Sequence, residues 1–294
     1  MPDAAPHRLD PATETFVAHR DLLFTVAYEM LGSAADAEDV LQETWLRWST
    51  VDLDTVRNQR AYLVRVTTRQ ALIRLRTLGR RRESYVGPWL PEPLLTAPDV
   101  AADVELADSV SMAMLLVLET LAPIERVVFV LREVFDVGYD EIAAAVDKTP
   151  AAVRQIAHRA RSHVAARRPR AEVSATESRE VVAAFQRAVR TGNLRDLLDT
   201  LAPDAVLLTD GGGIARAALE PIVGAQAVAA VVGRVRPSMT LRQVNGYPAL
   251  VVWRGDAVDT VLALRVDDGR VAGLYAVRNP DKLSRMGAET PLRR

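Results

Sequence analysis

The chain has 294 residues, 49% of them hydrophobic, with a formal net charge of −1 at pH 7 and no cysteine. That length predicts two or three compact units, and the missing cysteine excludes disulfides, thiolate catalysis and Cys-ligated zinc. The near-neutral balance gives no overall pull toward nucleic acid, so the distribution of charge carries the information.

The first residues lack a positive start followed by an apolar block, so no secretory signal is expected. No run of about eighteen apolar residues predicts a membrane span. A cytoplasmic protein follows as the expectation. The four histidines, at 7, 19, 158 and 163, form no metal spacing, and no cofactor is implied.

Residues 13 to 31 read as a helix with Phe16, Leu22, Leu23, Val26, Ala27 and Met30 inward, ended by Gly32-Ser33. A second helix runs to about Trp48, with Val40, Leu41, Thr44, Trp45 and Trp48 on its apolar side. On it Asp36, Glu38, Asp39, Gln42 and Glu43 fall at helical spacings and line an acidic ridge. Taken alone, such a ridge is an ordinary solvated surface. After a polar loop at 51 to 58, a helix from Gln59 to Leu78 packs Tyr62, Leu63, Val66, Leu72, Ile73 and Leu75 inward. Arg65, Arg69, Arg74, Arg76 and the run Arg80, Arg81 and Arg82 face outward.

Residues 83 to 103 contain four prolines, which forbid a long helix. Tyr85, Val86, Trp89, Leu90, Leu94 and Leu95 would be costly to leave in water. This linker is therefore expected to pack, either on the C-terminal domain or on a partner. Residues 138 to 168 read as helix, tight turn, helix. Ile142, Ala143 and Val146 form one apolar stripe, and Val153, Ile156, Ala157, Ala160 and Val164 form the other. Thr149 is placed to cap the second helix, and Pro150 to open it. Arg154, Gln155, His158, Arg159 and Arg161 lie on its outer face, with Arg167 and Arg168 beyond. Guanidinium and amide groups on one exposed helix suit base edges and phosphates in a major groove; a helical hairpin with a solvated basic face is the plain alternative.

Composition changes after 169 to 174. Helices are expected at 178 to 191 and 194 to 201, a strand at 205 to 210, a helix near 224 to 235, and alternating strands at 239 to 245, 249 to 254, 257 to 266 and 271 to 278. Asp267-Asp268-Gly269-Arg270 gives a hairpin turn between the last two. Helices followed by an antiparallel sheet make an α+β unit. The triplet Gly211-Gly212-Gly213 lacks the Lys-Ser/Thr ending of a phosphate loop and is read as a sharp bend.

The order acidic helix, loop, basic helix, with DAEDVLQETWLRW and QRAYLVRVTTRQALIRLR, resembles region two of the extracytoplasmic-function sigma factors of bacterial RNA polymerase. Residues 104 to 168 resemble their region four. The linker YVGPWLPEPL, the DGGG at 210 to 213 and the NPDKL at 279 to 283 resemble the subgroup with a SnoaL-like C-terminal domain, the sigma factor J type.

The resemblance implies two all-α helical domains followed by an α+β SnoaL/NTF2-like cone. Their boundaries are region two at 1–82, linker at 83–103, region four at 104–170 and the C-terminal domain at 176–294. It implies RNA polymerase core (β and β′ subunits) as partner of the ridge Asp36, Glu38, Asp39, Gln42 and Glu43. Promoter DNA would meet Asp54, Asn58, Arg65, Arg69, Arg74 and Arg76 at the minus-10 element and Arg154, Gln155, His158 and Arg159 at the minus-35 element. Trp89, Leu90, Pro91, Asp210, Gly211, Gly212, Asn279, Pro280, Asp281 and Lys282 would make regulatory contacts in cis. Ile214 and Ala215 stand where the subgroup often carries a basic residue after the glycines.

Some relatives of the cone fold are enzymes, and an unknown small molecule in its pocket is a further expectation. No histidine occurs after His163, so only Asp204, Asp210, Asp256 and Asp259 could act as acid or base there. Exposed turn carboxylates are the plainer reading, and no catalysis is expected. A one-component helix-turn-helix regulator sensing a small molecule is the alternative to a sigma factor.

Overall fold

The computed structural model describes residues 10–167, 175–234 and 238–294, with backbone alone at 80–82, 98, 102 and 175. The side chains of Arg80, Arg81 and Arg82, all of Arg168, and the expected boundary at 169–174 lie outside the described residues.

Three helices open the chain: α1 (Pro11–Leu31), α2 (Ala34–Trp48) and α3 (Gln59–Arg82). Each begins on a side-chain cap, Asp10, Ser33 and Asn58 respectively, whose oxygen accepts a backbone N–H of the first turn. Gly32 ends α1 at φ 67°, a left-handed conformation suited to glycine. The apolar positions form one core as expected, except that Val66 is half-buried outside it and Ile73 leaves it. Ile73 is 57% exposed, because α3 buries the stripe Leu63, Val64, Ala71, Leu72, Leu75 and Leu78, together with Thr67 and Thr68. Ile73 lies off that stripe.

After the linker come α4 (Pro98–Ala102), α5 (Val104–Val110), α6 (Met112–Glu119) and α7 (Pro123–Phe129), which runs on as a π-helical turn over Val130–Val134. The hairpin follows as α8 (Tyr139–Val146) and α9 (Pro150–Ala165). Asp147 turns the chain in the left-handed region, Thr149 caps α9 through Ala152 N–H, and Pro150 is the first helical residue. One apolar core runs from Phe16 of α1 to Val164 of α9 and takes in Leu292 near the C-terminus.

The last part of the chain comprises α10 (Ala175–Thr191), α11 (Leu194–Thr200), β1 (Leu201–Asp210), β2 (Ile222–Val223), α12 (Ala225–Val232), β3 (Ser238–Val244), β4 (Tyr247–Arg254), β5 (Ala257–Asp267), β6 (Arg270–Val277) and α13 (Pro280–Leu283). The sheet order is β2-β1-β6-β5-β4-β3, antiparallel except for the parallel β1–β6 pair. This is an α+β arrangement, as expected.

Alternation is weaker than expected in β4, where Pro248 to Val251 are buried in succession, and in β6, where every residue after Arg270 is buried. Both sheet faces are covered, so both sets of side chains must be apolar. Phe185, Val189, Leu197 and Val228 of the helices pack with Leu250, Leu264 and Leu274 on one face. On the other, Leu90 of the linker, Met112 of α6 and Leu283 and Met286 of the C-terminal segment pack with Val251, Val261, Ala263 and Tyr275. The second face thus rests on the linker and on the helical part of the chain.

Candidate nucleic-acid interface and the buried linker

The acidic ridge of α2 is formed, but much of its charge is already answered. Arg74 of α3 pairs with Asp36 at 2.6 Å and Asp39 at 2.7 Å. Arg20 makes two hydrogen bonds to Glu38, and Arg285 approaches the same carboxylate at 3.6 Å. Gln42 and Glu43 stay on the exposed side. Arg74 therefore faces the ridge and not solvent. Its helical position alone shows a polar face, not which neighbour that face meets.

Arg69, though exposed, is engaged as well. Its guanidinium donates to the carbonyls of Ala144 and Ala145 at 3.0 and 3.3 Å, in the last turn of α8. A cation there complements the negative end of the helix dipole. Arg65 lies over the Tyr62 ring at 5.1 Å, and Arg76 is exposed. In the loop a short 3-10 turn spans Leu53–Thr55; Asp54 is exposed, while the Asn58 side-chain oxygen is used to cap α3. Arg57 and Arg60 also stand exposed beside this loop, and sequence reading had left them out.

On α9, Arg154, Gln155, His158 and Arg159 all face outward. Arg154 stacks on Tyr139 at 5.6 Å, and Arg159 pairs with Glu125 at 3.2 Å. Both contacts steer long side chains that remain available at the surface.

The linker is where distant residues meet. Asp210, with no solvent exposure, accepts from the Tyr85 hydroxyl at 2.6 Å, Leu90 N–H at 2.8 Å, Gly212 N–H at 3.1 Å and the Lys282 ammonium at 2.7 Å. Lys282 also donates to Leu90 O and lies over the rings of Tyr85 and Trp89 at 4.9 and 4.2 Å. Burial first, then the bond to Asp210, raises the Tyr85 phenol. Asn279 donates to the Tyr85 hydroxyl, and a Cβ on Gly212, at φ 61°, would meet Asn279 at 2.3 Å. Gly211 is equally tight, because a Cβ there would lie 2.1 Å from Ala215 O. Pro91 is buried.

One linker expectation needs correction: Val86 is 51% exposed. Outside the linker, Pro280 and Asp281 are exposed and start α13. The other linker apolars are buried or half-buried, on the C-terminal domain and the first helices.

Several tying residues carried no signal singled out from the sequence. Glu92, in the linker, accepts from Ala34 and Ala35 N–H and so caps α2 from outside the helix; burial raises its carboxyl. Leu95 bridges Val244 at the open edge of β3, and Thr96 bridges Thr290 on its other side. Asn245, at φ 53°, and Gly246, at φ 75°, form the β3–β4 turn. The Asn245 amide donates to the Tyr28 hydroxyl at 2.7 Å and Val110 O at 2.9 Å, and its oxygen accepts from Leu94 N–H. One turn thus touches α1, α5 and the linker. An Asn-Gly pair between apolar runs is a hairpin signal that could have located it. Beneath it Glu29, fully buried, accepts from the Ser109 hydroxyl, and Arg126 donates to Glu29 O and pairs with Glu119. Desolvation pushes the Glu29 carboxyl up to about 8.

The cone interior offers no free acid or base. Asp204 and Asp256 are exposed. Against desolvation, which raises it, the Thr260 hydroxyl with Arg278 and Arg254 holds Asp259 below the usual carboxylate range. Among the described residues no cluster of three or more His, Asp or Glu is arranged to hold a metal, and no helix is long and apolar enough to cross a membrane.

Comparison with known proteins agrees with this layout. Residues 15–81 match the family model Sigma-70 region 2, and residues 111–164 match Sigma-70, region 4. The chain is 36% identical over 291 residues to the ECF RNA polymerase sigma factor SigJ of Mycobacterium tuberculosis, covering 92% of each chain. It is 32% identical to the probable ECF RNA polymerase sigma factor SigI of the same species, covering 95% of this chain and 97% of that one. The crystal structure of SigJ superposes with a TM-score of 0.75 at 33% identity, covering 96% of this chain and all of that one. With both sigma regions, the linker and the α+β domain matched along one chain, this protein belongs to the extracytoplasmic-function family of RNA polymerase sigma factors.

Proposed function

We propose that this chain confers promoter recognition on core RNA polymerase, in the cytoplasm and without catalysis of its own. Its C-terminal domain, in place of a separate anti-sigma protein, sets the relative placement of regions two and four. The functional units are region two at 1–82, the linker at 83–103, region four at 104–170 and the regulatory domain at 176–294. Asp36, Glu38, Asp39, Gln42 and Glu43 dock on a basic surface of the polymerase clamp. Asp36 acts through Arg74, which it orients. Asp54, Asn58, Arg65 and Arg76 serve the minus-10 element, and Arg154, Gln155, His158 and Arg159 serve the minus-35 element.

The observation that carries this reading is the Asn245-Gly246 turn, which fixes α1, α5 and the linker to one sheet. Regions two and four are held together by the same packing, and Arg69 spans them. For Arg69 to reach promoter phosphates, α3 must leave α8. Such contacts add affinity and register rather than sequence choice. The cone interior, filled by Phe185, Leu250 and Leu274, gives no support to a ligand there.

The test is run-off transcription with core polymerase on templates selected from a random pool, comparing wild type with two full-length variants. Glu38→Ala/Asp39→Ala/Glu43→Ala should lose core binding and the discrete start. Gly246→Val, which loosens the turn, should change start strength or choice. A triple variant that transcribes normally sinks the ridge assignment; an unchanged Gly246→Val sinks regulation in cis.

A further inference from the structure

Between region four and the sheet lies a cavity of about 650 Å³. One wall comes from α5, α6, α7 and α9, the other from β4, β5 and β6. Protein interiors are close-packed, with few voids larger than a water molecule, whereas ligand sites run from about 300 to 1,000 Å³. The opening belongs to the second class.

Its chemistry is specific enough to name an occupant. Met112, Met114, Phe129, Val164, Leu264 and Val266 make the lining chiefly apolar, and the two methionines can adapt to a ligand's shape. The charges around it are already answered. Glu133 faces Arg161 at 3.6 Å, Glu105 takes Arg294, Arg265 faces Asp267 at 3.1 Å, and Asp108 is engaged as well. A charged ligand would meet no uncompensated partner and would be desolvated without return. Arg265 Nε has no hydrogen-bond partner but is closed off from the cavity space, so it offers an occupant no polar contact.

We propose that this cavity is an effector site for a neutral, predominantly apolar, drug-sized molecule, held between region four and the regulatory sheet. It lies among the methionines, Phe129 and Leu264. Because the two walls belong to different modules, the complete site exists only while they are apposed, so occupancy favours the docked arrangement. This consequence for transcription rests on the regulatory reading above; binding itself does not.

The chain's lack of cysteine supplies the test. In full-length Ala113→Cys the only thiol sits on the cavity wall. Nile red, a neutral apolar dye, is the probe. At about ten times its Kd it should slow alkylation by N-ethylmaleimide about tenfold, as mass action requires. Dye emission should titrate to one site per chain. Ala165→Trp, which brings an indole to the mouth from an exposed position on α9, should abolish that titration while leaving urea unfolding unchanged. A labelling rate indifferent to dye, a thiol that never reacts, or wild-type dye binding by Ala165→Trp each overturns the site. Dye binding that leaves run-off transcription unaltered keeps the site and removes only its coupling to promoter use.

Discussion

A carboxylate without solvent exposure survives only where donors replace water, and Asp210 has four of them. Asp210→Ala leaves the Lys282 ammonium deep in the fold without its carboxylate, at a cost of about 3–5 kcal/mol typical of breaking a buried pair. Lys282→Met should cost less, since Tyr85, Leu90 and Gly212 still hold the carboxylate; urea unfolding of both variants measures the difference. Glu29 behaves oppositely. Its folded-state value, about 8, lies above its ordinary 4.5, so folding takes up a proton between those values. Stability therefore falls as pH rises through that window, with a slope of at most about 1.4 kcal/mol per pH unit. Glu29→Gln should flatten the fall between pH 5 and 8 in denaturant melts; an unchanged profile would mean that Glu29 stays ionised when folded. As a contact residue Asp210 entered the reading only through the DGGG resemblance, and its full burial corrects the plainer expectation of an exposed turn carboxylate. Glu29 and Arg126 were not legible, because a buried ionic residue in an amphipathic helix looks like any other polar position.

Among elements, caps and turns were the most legible. Thr149 and Pro150 fixed the start of α9, and Asp268-Gly269 the last hairpin, because local backbone chemistry decides both. What the sequence could not supply was the neighbour across a face: Arg69 and Arg74 sit on the polar side of α3, yet one meets a helix end and the other an acidic ridge. Ile73 was misplaced for a related reason, since α3 has more apolar positions than its single buried stripe uses. The β3–β4 turn makes its own prediction. A Cβ on Gly246 would lie 2.6 Å from Ala107 Cα at a positive φ. Gly246→Val should therefore cost about 2–4 kcal/mol through strain and lost packing. Amides of residues 90 to 96 should then exchange faster with deuterium; exchange equal to wild type would show that the turn does not hold the linker.

At the scale of the molecule, one apolar core joins regions two and four and reaches Leu292, while the sheet rests on Leu90 and Met112. Modules that share a core should unfold together. The four tryptophans report on different parts: Trp45 and Trp48 in α2, Trp89 in the linker and Trp253 in β4. Tryptophan fluorescence and far-ultraviolet circular dichroism should then give coincident urea transitions; two separated steps would show that the sheet is an independent unit. The sequence showed which units exist but not how they sit together, because docking is decided by a few contacts between residues far apart in the chain.

The strand-like stretch of the linker at 94 to 96 lies beside β3, the outermost strand of the sheet. An unclosed sheet margin is a template on which other polypeptides polymerise. By filling that margin from its own connector, the protein protects itself against self-association for as long as it stays shut. Any movement that frees the linker to let the two DNA-reading regions separate also uncovers sticky backbone.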